Sequence, residues 1–464
     1  MKTGLKNRYT FRIGMLALCA SALIMLSGCA TTSAIAAGED FGGVMAAVKI
    51  DLFGSDDQDC RGLSLSLPVR SGFDPVEDKS AYRSLTDATM REVYEAIEDS
   101  IYQVSSERDE TRGCYRLKYT RLPSTLEFDD IYVVKEAVLS DHPEAFWVLS
   151  SYDIQNNFHD GNYLVLYSKY SYDEINTAFE EINVETEYIL SQIPDKADEL
   201  ERERIIHDVL VDEVSYDSEA AESDDATADA FNMYGALVKK KAVCSGYAYA
   251  MKMLLNRVGI ECRTVVGMSK NSGHMWNQVK INDKWYHLDA TWDDSPSESE
   301  VLYSRYNYFN LTDELVEINH KIGKNYSEMV CEYTDEGVYT TAELYNFDLE
   351  ECNSTDANYY QMNAVHISEL NNASITDITD KVVAVSKVKG DLVYMIFDSS
   401  ISSEEAEAWL AKGQSGRYSA LSQSIANANK AAEGAKIKEF PLVRMSSSED
   451  NIWTNLYAVR LIYA

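Results

Sequence analysis

The sequence predicts an α+β protein in which one helix packs on antiparallel strands, with regions of mixed helix and strand on either side. Its 464 residues are 45% hydrophobic and 25% charged, an ordinary globular composition with room for two or three domains. Apolar residues recur at helical spacing over 244–258, and Gly259 supplies a helix stop. Three strand patterns follow, at 262–268, 274–281 and 285–291.

The charge of the chain excludes one class of function. Lysine and arginine total 42 against 76 aspartate and glutamate residues, which gives a formal net charge of −34. Such an acidic protein repels phosphate backbones, so we expect no nucleic-acid partner. The acidic residues are most simply a solvated exterior.

The N-terminus has the three parts of an export signal. Basic residues precede an apolar run at 13–26, which is too short for an ordinary transmembrane helix. The run ends in Leu26-Ser27-Gly28-Cys29, which resembles the bacterial lipobox, in which the cysteine is lipidated. We therefore predict a lipoprotein signal peptide at 1–28, a lipid on Cys29, a tether at 29–75 and an extracytoplasmic protein anchored to a bacterial membrane. The alternative is a signal peptide cleaved elsewhere.

The remaining chain divides into a central region between two α/β regions, at 76–194 and 316–464. In the first we predict a helix at 91–102, strands at 131–139 and 163–167, and a helix at 172–193 interrupted near Val184. A helix at 195–214 and an exposed loop at 218–229 precede the central elements. In the last region, 382–397 resembles a strand and 404–412 a helix.

A predicted hairpin brings polar residues together. Asn282-Asp283 suits a two-residue turn, and such a turn would pair the flanking strands so that His274 and Asp289 are diagonal neighbours on one face. Gln278 and His287 share that face. Apolar residues dominate the other, so we expect one face to pack and the other to present polar groups.

Cys244 stands where the predicted helix begins. Unpaired N–H groups and the helix dipole stabilise a thiolate there, and the backbone N–H of Cys244 is a candidate oxyanion donor. A histidine base oriented by an aspartate would complete a nucleophilic site. The lysines at 239–241 either add positive potential at Cys244 or extend into solvent; the sequence allows both. It does not identify a second oxyanion donor.

Three segments resemble the nucleophile, histidine and aspartate segments of the transglutaminase-like superfamily, especially its secreted bacterial members, and they occur in the family's order. Ile206-His207-Asp208 and Tyr216-Asp217 resemble the helix that opens the domain in such proteins. The three segments are Tyr234-Gly235-Ala236-Leu237-Val238 with Ala242-Val243-Cys244-Ser245-Gly246-Tyr247-Ala248, Gly273-His274-Met275-Trp276-Asn277, and Trp285-Tyr286-His287-Leu288-Asp289-Ala290-Thr291-Trp292.

The resemblance implies a papain-like transglutaminase core of the α+β class over 195–315. By residue-for-residue match, Cys244 would be the nucleophile, His274 the general base and acid, and Asp289 the group that orients His274. The implied reaction is attack on an amide carbonyl, formation of a thioester, and transfer to an amine or to water. Nothing resembles the calcium sites of the animal cross-linking enzymes, and we expect no metal and no cofactor.

We therefore expect a lipid-anchored cysteine enzyme, a peptidase, amidase or acyltransferase, whose substrates are proteins or cell-wall peptides. We expect water to be favoured over an amine as acceptor because we expect an open site. The alternative is a non-catalytic cell-surface binding module on the same scaffold, for a peptide or glycan partner. Ionisation of Cys244 distinguishes the two, since a binding module has no need of a thiolate.

Other aromatic and histidine residues have less specific roles. We expect Trp276 and His287 to lie next to the three candidate catalytic residues, with Trp276 packing or screening the site from water. We expect His142 and His207 to be structural. The cysteines and histidines lack the paired spacing of a zinc site.

The cysteines outside this site leave pairing open. Cys262 lies in an apolar strand pattern, so we expect a buried thiol. Cys60 with Cys114, and Cys331 with Cys352, are candidate disulfides in an oxidising compartment.

Overall fold

The computed structural model divides the chain into two compact units. One contains residues up to 294 together with 320–352, and the other contains 295–319 and 353–464. The first unit thus takes residues 320–352, which lie in the range that we assigned to the C-terminal region. The structure describes residues 50–51, 64–66, 79–157, 161–223, 227–269, 272–294, 305–323, 327–331, 340–344, 346–412, 419–432, 436–445 and 452–464.

The predicted signal peptide and Cys29 lie outside the described residues, as does most of the predicted tether. Within that tether range, the described residues 50–51 and 64–66 form short strands that pair with other strands of the first unit. Among the helices in the described ranges, none combines the length and the apolar character that a membrane crossing requires.

The N-terminal part of the first unit contains a seven-stranded sheet of order β1-β6-β7-β4-β3-β2, with β5 beside β7. Val93, Ile97 and Ile101 lie on the buried face of its second helix, as their helical spacing predicts. The elements are β1 (Ile50–Asp51), β2 (Ser64–Ser66), α1 (Ser80–Ser84), α2 (Ala88–Ile101), β3 (Gln103–Asp109), β4 (Cys114–Leu117), β5 (Thr120–Leu122), α3 (Phe128–Asp141), β6 (Val148–Asn157), β7 (Gly161–Ser168) and α4 (Tyr172–Leu190).

Some local predictions for this part are wrong. The segment 131–139, predicted as a strand, lies in α3. Val133, Val134, Ala137 and Val138 are all buried, and their spacing is that of a helix face covered by the core. The helix predicted at 172–193 with an interruption is continuous as α4, and Val184 lies exposed on its surface.

His142 lies at the centre of a buried ionic cluster, in agreement with a structural role. Its Nδ1 is 2.8 Å from Oε1 of Glu144, and its Nε2 is 2.9 Å from Oε1 of Glu98. Burial lowers the pKa of His142, but the charges of Glu144 and Glu98 and their hydrogen bonds outweigh it and raise the pKa to about 9. The folded state therefore holds this proton more tightly than the unfolded state.

This cluster predicts that the protein loses stability as pH rises through the mildly alkaline range. An unfolded histidine has a pKa of about 6.5, so the contribution of His142 is complete below that pH and disappears as pH rises to about 9. A shift of this size corresponds to roughly 3 kcal/mol. Between pH 6.5 and pH 9, the free energy of unfolding measured in urea should fall less for His142→Gln than for the native chain. The matched control is His366→Gln, at an exposed histidine of the second unit; equal losses in the native chain and His142→Gln would contradict this account.

The central part of the first unit places a helix against one face of an antiparallel sheet of order β12-β11-β10-β13. Asn277 marks the face that packs on the helix, because its Nδ2 donates to the carbonyl of Ala248 at 3.0 Å. The elements are α5 (Glu199–Glu213), β8 (Ser215–Tyr216), α6 (Ser218–Glu222), a 3-10 helix (Asp229–Phe231), a π-helix (Gly235–Lys239), β9 (Lys241–Ala242), α7 (Cys244–Arg257), β10 (Cys262–Ser269), β11 (Ser272–Ile281), β12 (Lys284–Leu288), α8 (Ala290–Asp293), β13 (His320–Ile322), β14 (Ser327–Cys331) and β15 (Thr340–Leu344).

The predicted helix, the first two predicted strands and the hairpin register are confirmed here. The third strand was predicted to run to 291 but ends at Leu288, because Asp289 caps the helix α8. β11 and β12 pair Ile281 with Lys284 and Asn277 with Leu288 around the turn. Asn282 and Asp283 both have positive φ, at 50° and 61°, as a type I′ turn requires. The stretch 218–229, predicted as an exposed loop, instead contains α6, whose alanines at 220 and 221 are buried.

The polar face of the hairpin is covered, which corrects our expectation that it presents polar groups. His274, Gln278 and His287 are all buried. The side chain of Gln278 exchanges two hydrogen bonds with the backbone of Glu350, at 2.9 and 3.0 Å. The chain segment at 346–352, far away in sequence, therefore satisfies part of this face.

The second unit has a four-stranded sheet of order β16-β17-β20-β19 and a two-stranded sheet of β18 and β21. The segment 382–397, predicted as one strand, is the end of a helix followed by a strand. The helix predicted at 404–412 is present as a short α-helix (Ser403–Glu407) followed by a π-helix (Ala408–Lys412). The elements are α9 (Asp313–Val316), α10 (Tyr359–Asn363), β16 (Val365–Ile367), α11 (Asn372–Lys387), β17 (Leu392–Phe397), α12 (Ser403–Glu407), α13 (Ala420–Ala431), β18 (Ile437–Glu439), β19 (Leu442–Arg444), β20 (Leu456–Arg460) and β21 (Ile462–Tyr463).

Candidate active site

Cys244 is the first residue of α7, as predicted, and its N–H therefore has no acceptor within the helix. The start of the helix is fixed by its neighbours. Ser245 donates from Oγ to the carbonyl of Phe231 at 2.9 Å. A Cβ on Gly246 would lie 2.5 Å from the carbonyl oxygen of Ala230, so only glycine allows this close approach.

His274 and Asp289 are in direct contact, as the hairpin predicts. Nε2 of His274 donates to Oδ2 of Asp289 over 2.6 Å. The other oxygen, Oδ1, accepts the backbone N–H groups of Thr291 at 3.0 Å and Trp292 at 3.2 Å, so Asp289 also caps α8. The carboxylate is thereby held by both of its oxygens.

A second buried pair anchors the helix that Asp289 caps. Nε2 of His207 on α5 lies 3.1 Å from Oδ2 of Asp293 on α8. Burial lowers the pKa of His207, but hydrogen bonds to Asp208 and Asp293 outweigh it and raise the pKa to about 9. These contacts agree with the structural role expected for His207, because they tie α5 to the short helix behind the site.

Electrostatics favour a charged pair between His274 and Asp289. Burial lowers the pKa of His274, but the charge of Asp289, its hydrogen bond and a hydrogen bond with Cys244 raise the pKa to about 10. Burial raises the pKa of Asp289, but the charges and hydrogen bonds of His274 and His320 bring it well below its usual range. Because Nε2 of His274 is directed at Asp289, Nδ1 is the ring nitrogen that remains for Cys244.

The lysines at 239–241 make their contacts with other groups. Lys240 binds Glu185 and Glu213, both at 2.9 Å. Nζ of Lys241 lies 3.3 Å from Asp217, and the ammonium of Lys239 lies over the ring of Tyr234. Lys239 and Lys241 are exposed, so for these two residues the structure favours the alternative in which the lysines extend into solvent.

Trp276 lies beside the site, and His287 lies behind it. The ring of Trp276 stacks on that of His274 with 5.7 Å between centroids and 19° between planes. Its Nε1 donates to Nδ1 of His287 over 3.0 Å. A Cβ on Gly267, the residue paired with His274, would lie 2.5 Å from the Trp276 ring, so the glycine leaves the space that this indole fills.

His320 is a site residue that sequence reasoning missed. Its Nε2 lies 3.1 Å from Oδ2 of Asp289, the oxygen that His274 also contacts. His287, which we expected next to the candidate catalytic residues, accepts a hydrogen bond from Trp276, whereas His320 contacts Asp289. No local pattern identifies His320, because its position depends on the pairing of β13 with β10, in which it lies opposite Ser269.

Tyr216 is a further neighbour. It pairs with Ala242 in the parallel strands β8 and β9. Ala242 lies two residues before Cys244 in the sequence. Burial raises the pKa of Tyr216, and so do the negative charges of Cys244 and Asp289. Its phenol is therefore close enough to both groups for their charges to interact.

His274, Asp289 and His320 also have the donor types of a zinc site. One ligand atom from each lies within 4.8 Å of the others, and two imidazoles with one carboxylate are common zinc ligands. The observed distances of 2.6 and 3.1 Å are those of hydrogen bonds to a shared oxygen. Our prediction of no metal remains a prediction.

Three other cysteines of the described residues are buried thiols. Cys262 is a buried thiol on β10, as predicted, and Cys114 and Cys352 are also buried thiols. Cys60 and the side chain of Cys331 lie outside what the structure describes, so both disulfide predictions stay predictions.

Comparison with known proteins assigns the central region to a family. Residues 188–290 match the model of the transglutaminase-like superfamily. This part of the chain is a transglutaminase-like domain. Over 169 residues, the chain is 27% identical to kyphoscoliosis peptidase of Mus musculus, and equally so to that of Homo sapiens; the alignments cover 32% of this chain. The chain spans a quarter of the length of these curated relatives.

A solved structure described as a TGase is also similar, with 15% identity, a TM-score of 0.24, and coverage of 39% of this chain and 52% of that one. The transglutaminase-like domain contains Cys244, His274 and Asp289 within the matched range. The helix α7 and the strands β10 to β12 give it the α+β architecture that we predicted. β13, which carries His320, lies beyond the match.

Proposed function

We propose that this chain is a cysteine enzyme, a peptidase, amidase or acyltransferase, that acts on amide bonds of proteins or cell-wall peptides through a thioester on Cys244. One observation supports it above all: His274 binds Asp289 through Nε2 at 2.6 Å, and the Cys244 side chain contributes to the raised pKa of the same imidazole. Nucleophile, base and orienting group are then in the order that covalent catalysis needs.

The reaction follows from this arrangement. The Cys244 thiolate attacks the amide carbonyl carbon, and His274, carrying the proton, donates it to the leaving nitrogen as the C–N bond breaks. The acyl group remains on sulfur as a thioester. Water or an amine then attacks the thioester, His274 accepts the proton of the nucleophile, and the thiolate is released. Asp289 stabilises the imidazolium at both stages.

The tetrahedral intermediates need donors for their oxyanion. The N–H of Cys244 at the start of α7 is one, as the sequence indicated. We propose the Tyr216 hydroxyl as the second. The pairing of Tyr216 with Ala242, two residues before Cys244, and the effect of the Cys244 and Asp289 charges on the pKa of Tyr216 support this proposal. A neutral phenol held in a water-poor site is an effective donor to a developing oxyanion.

Tyr216→Phe is therefore expected to lower kcat by about 100-fold, the usual cost of one oxyanion donor. It should leave alkylation of Cys244 by a small haloacetamide nearly unchanged, because that reaction forms no oxyanion. The matched control is Tyr234→Phe, which removes a hydroxyl that binds Glu181 at 2.6 Å elsewhere in the same unit. Equal kcat for Tyr216→Phe and Tyr234→Phe would show that Tyr216 is not a donor.

Two kinds of observation support amide substrates. The mouse and human relatives are named peptidases, and the domain is transglutaminase-like. The test is incubation of the full chain with casein and with peptidoglycan stem peptides, followed by mass spectrometry of new termini and of acylated Cys244. A native chain that modifies no substrate and accumulates no acyl-Cys244 would contradict the proposal.

The choice of acceptor is left to the same experiment. The open site that would favour water is not observed, since Cys244, His274 and Asp289 are each about 2% exposed. An added primary amine would appear in the product of an acyltransferase and not in that of a hydrolase.

A lipid anchor on Cys29 also belongs to this proposal. It rests on the basic and apolar segments and on the sequence Leu26-Ser27-Gly28-Cys29. Metabolic labelling with a fatty acid should mark the native chain and not Cys29→Ser, and the native chain should fractionate with membranes. Equal labelling of the two would contradict the anchor.

The burial of Cys244 favours a second candidate, a non-catalytic binding module on a transglutaminase-like scaffold. A binding module has no need for a reagent to reach the sulfur. The reactivity of Cys244 toward iodoacetamide separates the two candidates.

A further inference from the structure

The Asp289 carboxylate is surrounded by four donors, two on each oxygen. Oδ1 accepts two backbone N–H groups from α8, and Oδ2 accepts from His274 at 2.6 Å and contacts His320 at 3.1 Å. Asp289 itself is 2% exposed. Burying an ionised carboxylate costs free energy unless hydrogen-bond donors bind its oxygens. Each of these four contacts therefore stabilises the ionised form.

The contact with His320 fixes which nitrogen of that ring carries a proton. An ionised carboxylate only accepts hydrogen bonds, so Nε2 of His320 must be the donor. Two tautomers of a neutral imidazole are available, and only the one protonated at Nε2 can make this bond. The contact with Asp289 therefore requires a proton on Nε2 of His320.

The positive charge of the cluster belongs on His274 and not on His320. The two imidazole centroids are 5.3 Å apart, and two buried cations at that distance repel strongly. Burial lowers the pKa of His320; Asp289 opposes this, while His274 and His287 lower the pKa further, and the net direction is down. His320 thus donates as a neutral ring while His274 carries the charge that the Cys244 thiolate requires.

A strand pairing and two indole rings hold the ring of His320 in place. β13 pairs with the edge of β10, with His320 opposite Ser269. The indoles of Trp276 and Trp292 lie at 5.1 and 4.9 Å from the ring, centroid to centroid. A donor confined in this way can orient the carboxylate that it contacts.

We propose that His320 is a positioning residue of this site: a neutral imidazole, protonated at Nε2, that holds Asp289 in the orientation from which it aligns His274 toward Cys244. This inference rests on the proposed function and extends it. It adds a fourth residue to the machinery, outside the range that matches the transglutaminase-like family.

The first test reads the proton directly. ¹⁵N-histidine NMR of the full chain at pH 7 should show His320 neutral with its proton on Nε2, assigned by the loss of its signals in His320→Gln. A proton on Nδ1 alone, or a charged His320, would overturn the proposal. This result does not depend on any substrate or on the reactivity of Cys244.

The second test compares two substitutions at His320. His320→Gln keeps an N–H donor at a similar reach, whereas His320→Ala removes it. We expect alkylation of Cys244 at pH 7 to fall about 10-fold or more in His320→Ala and to stay within about threefold of the native rate in His320→Gln, since mispositioned supporting groups typically cost 10–100-fold. Equal rates in both variants would overturn the proposal, even where both variants are less stable.

The alternative role for His274, Asp289 and His320 is to bind a metal ion. A separate experiment tests that role. Zinc titrated calorimetrically into the metal-stripped Cys244→Ala variant should show no tight binding, and chelation should leave the native alkylation rate unchanged. Tight zinc binding lost in His320→Gln would make the cluster a metal site and overturn the positioning role. An unreactive Cys244 in the native chain would instead refute the proposed function, so the two failures are distinguishable.

Discussion

Cys244→Ala is expected to lower turnover of any amide substrate by about 10⁵-fold or more, to the background level. The substitution removes the only atom that forms the covalent bond to substrate, while alanine retains the Cβ and suits the first turn of α7. The measurement is kcat/KM on the substrate found by mass spectrometry, together with a thermal unfolding curve. The matched control is Cys114→Ala, which removes another buried thiol, on β4.

The fold should survive this change. A melting temperature close to that of the native chain would show that lost turnover is a loss of chemistry. Substantial turnover by Cys244→Ala would mean that another group attacks the carbonyl, and the proposed mechanism would be wrong.

Asp289→Asn is expected to cost less, about 10³- to 10⁴-fold in kcat. The amide can still accept the N–H groups of Thr291 and Trp292 at one position, so the cap of α8 is retained. At the other position it presents an N–H group to Nε2 of His274, which forces that ring into the tautomer with its proton on Nδ1. The ring then cannot accept a proton from Cys244.

The loss of negative charge acts in the same direction. Since the charge of Asp289 raises the pKa of His274 to about 10 against the effect of burial, the histidine of Asp289→Asn should be neutral at pH 7. Histidine NMR of the variant measures this directly. A charged His274 and turnover within tenfold of native would show that Asp289 does not orient the base.

The sequence predicted the central region well because its signals are local. The helix from Cys244 begins with a residue whose neighbours match a known segment and ends at Arg257, just before Gly259 with its positive φ. A two-residue turn fixes the register of β11 and β12. Once the register is set, Asp289, the residue directly after β12, lies close to His274.

The two wrong strand predictions, at 131–139 and 382–397, have a common physical cause, which is that burial can mask periodicity. In α3 the apolar residues cover much of the helix surface because the core surrounds it, so their run resembles that of a buried strand. The prediction of one strand at 382–397 is wrong for a similar reason, because Gly390 separates a helix from a strand within one apolar stretch.

The features that the sequence could not predict depend on distant chain segments. His320 reaches Asp289 only because β13 joins the edge of β10, and Gln278 is satisfied by the backbone of Glu350. Neither contact leaves a local pattern. Both cover the polar face that we expected to be open.

The central claim is that Cys244 is a nucleophile activated by His274, and the pH dependence of its alkylation tests this most directly. The full chain and His274→Ala are treated briefly with iodoacetamide from pH 5 to pH 10, and the Cys244 peptide is quantified by mass spectrometry against the Cys114 and Cys262 peptides. We predict a faster rate at neutral pH in the native chain than in His274→Ala, because the imidazolium of His274 stabilises the thiolate that reacts. In His274→Ala the rate should be low at neutral pH and rise only toward about pH 8.5, as for an ordinary thiol. Identical profiles in the two chains, or a Cys244 unreactive throughout in the native chain, would contradict the account and favour the binding module.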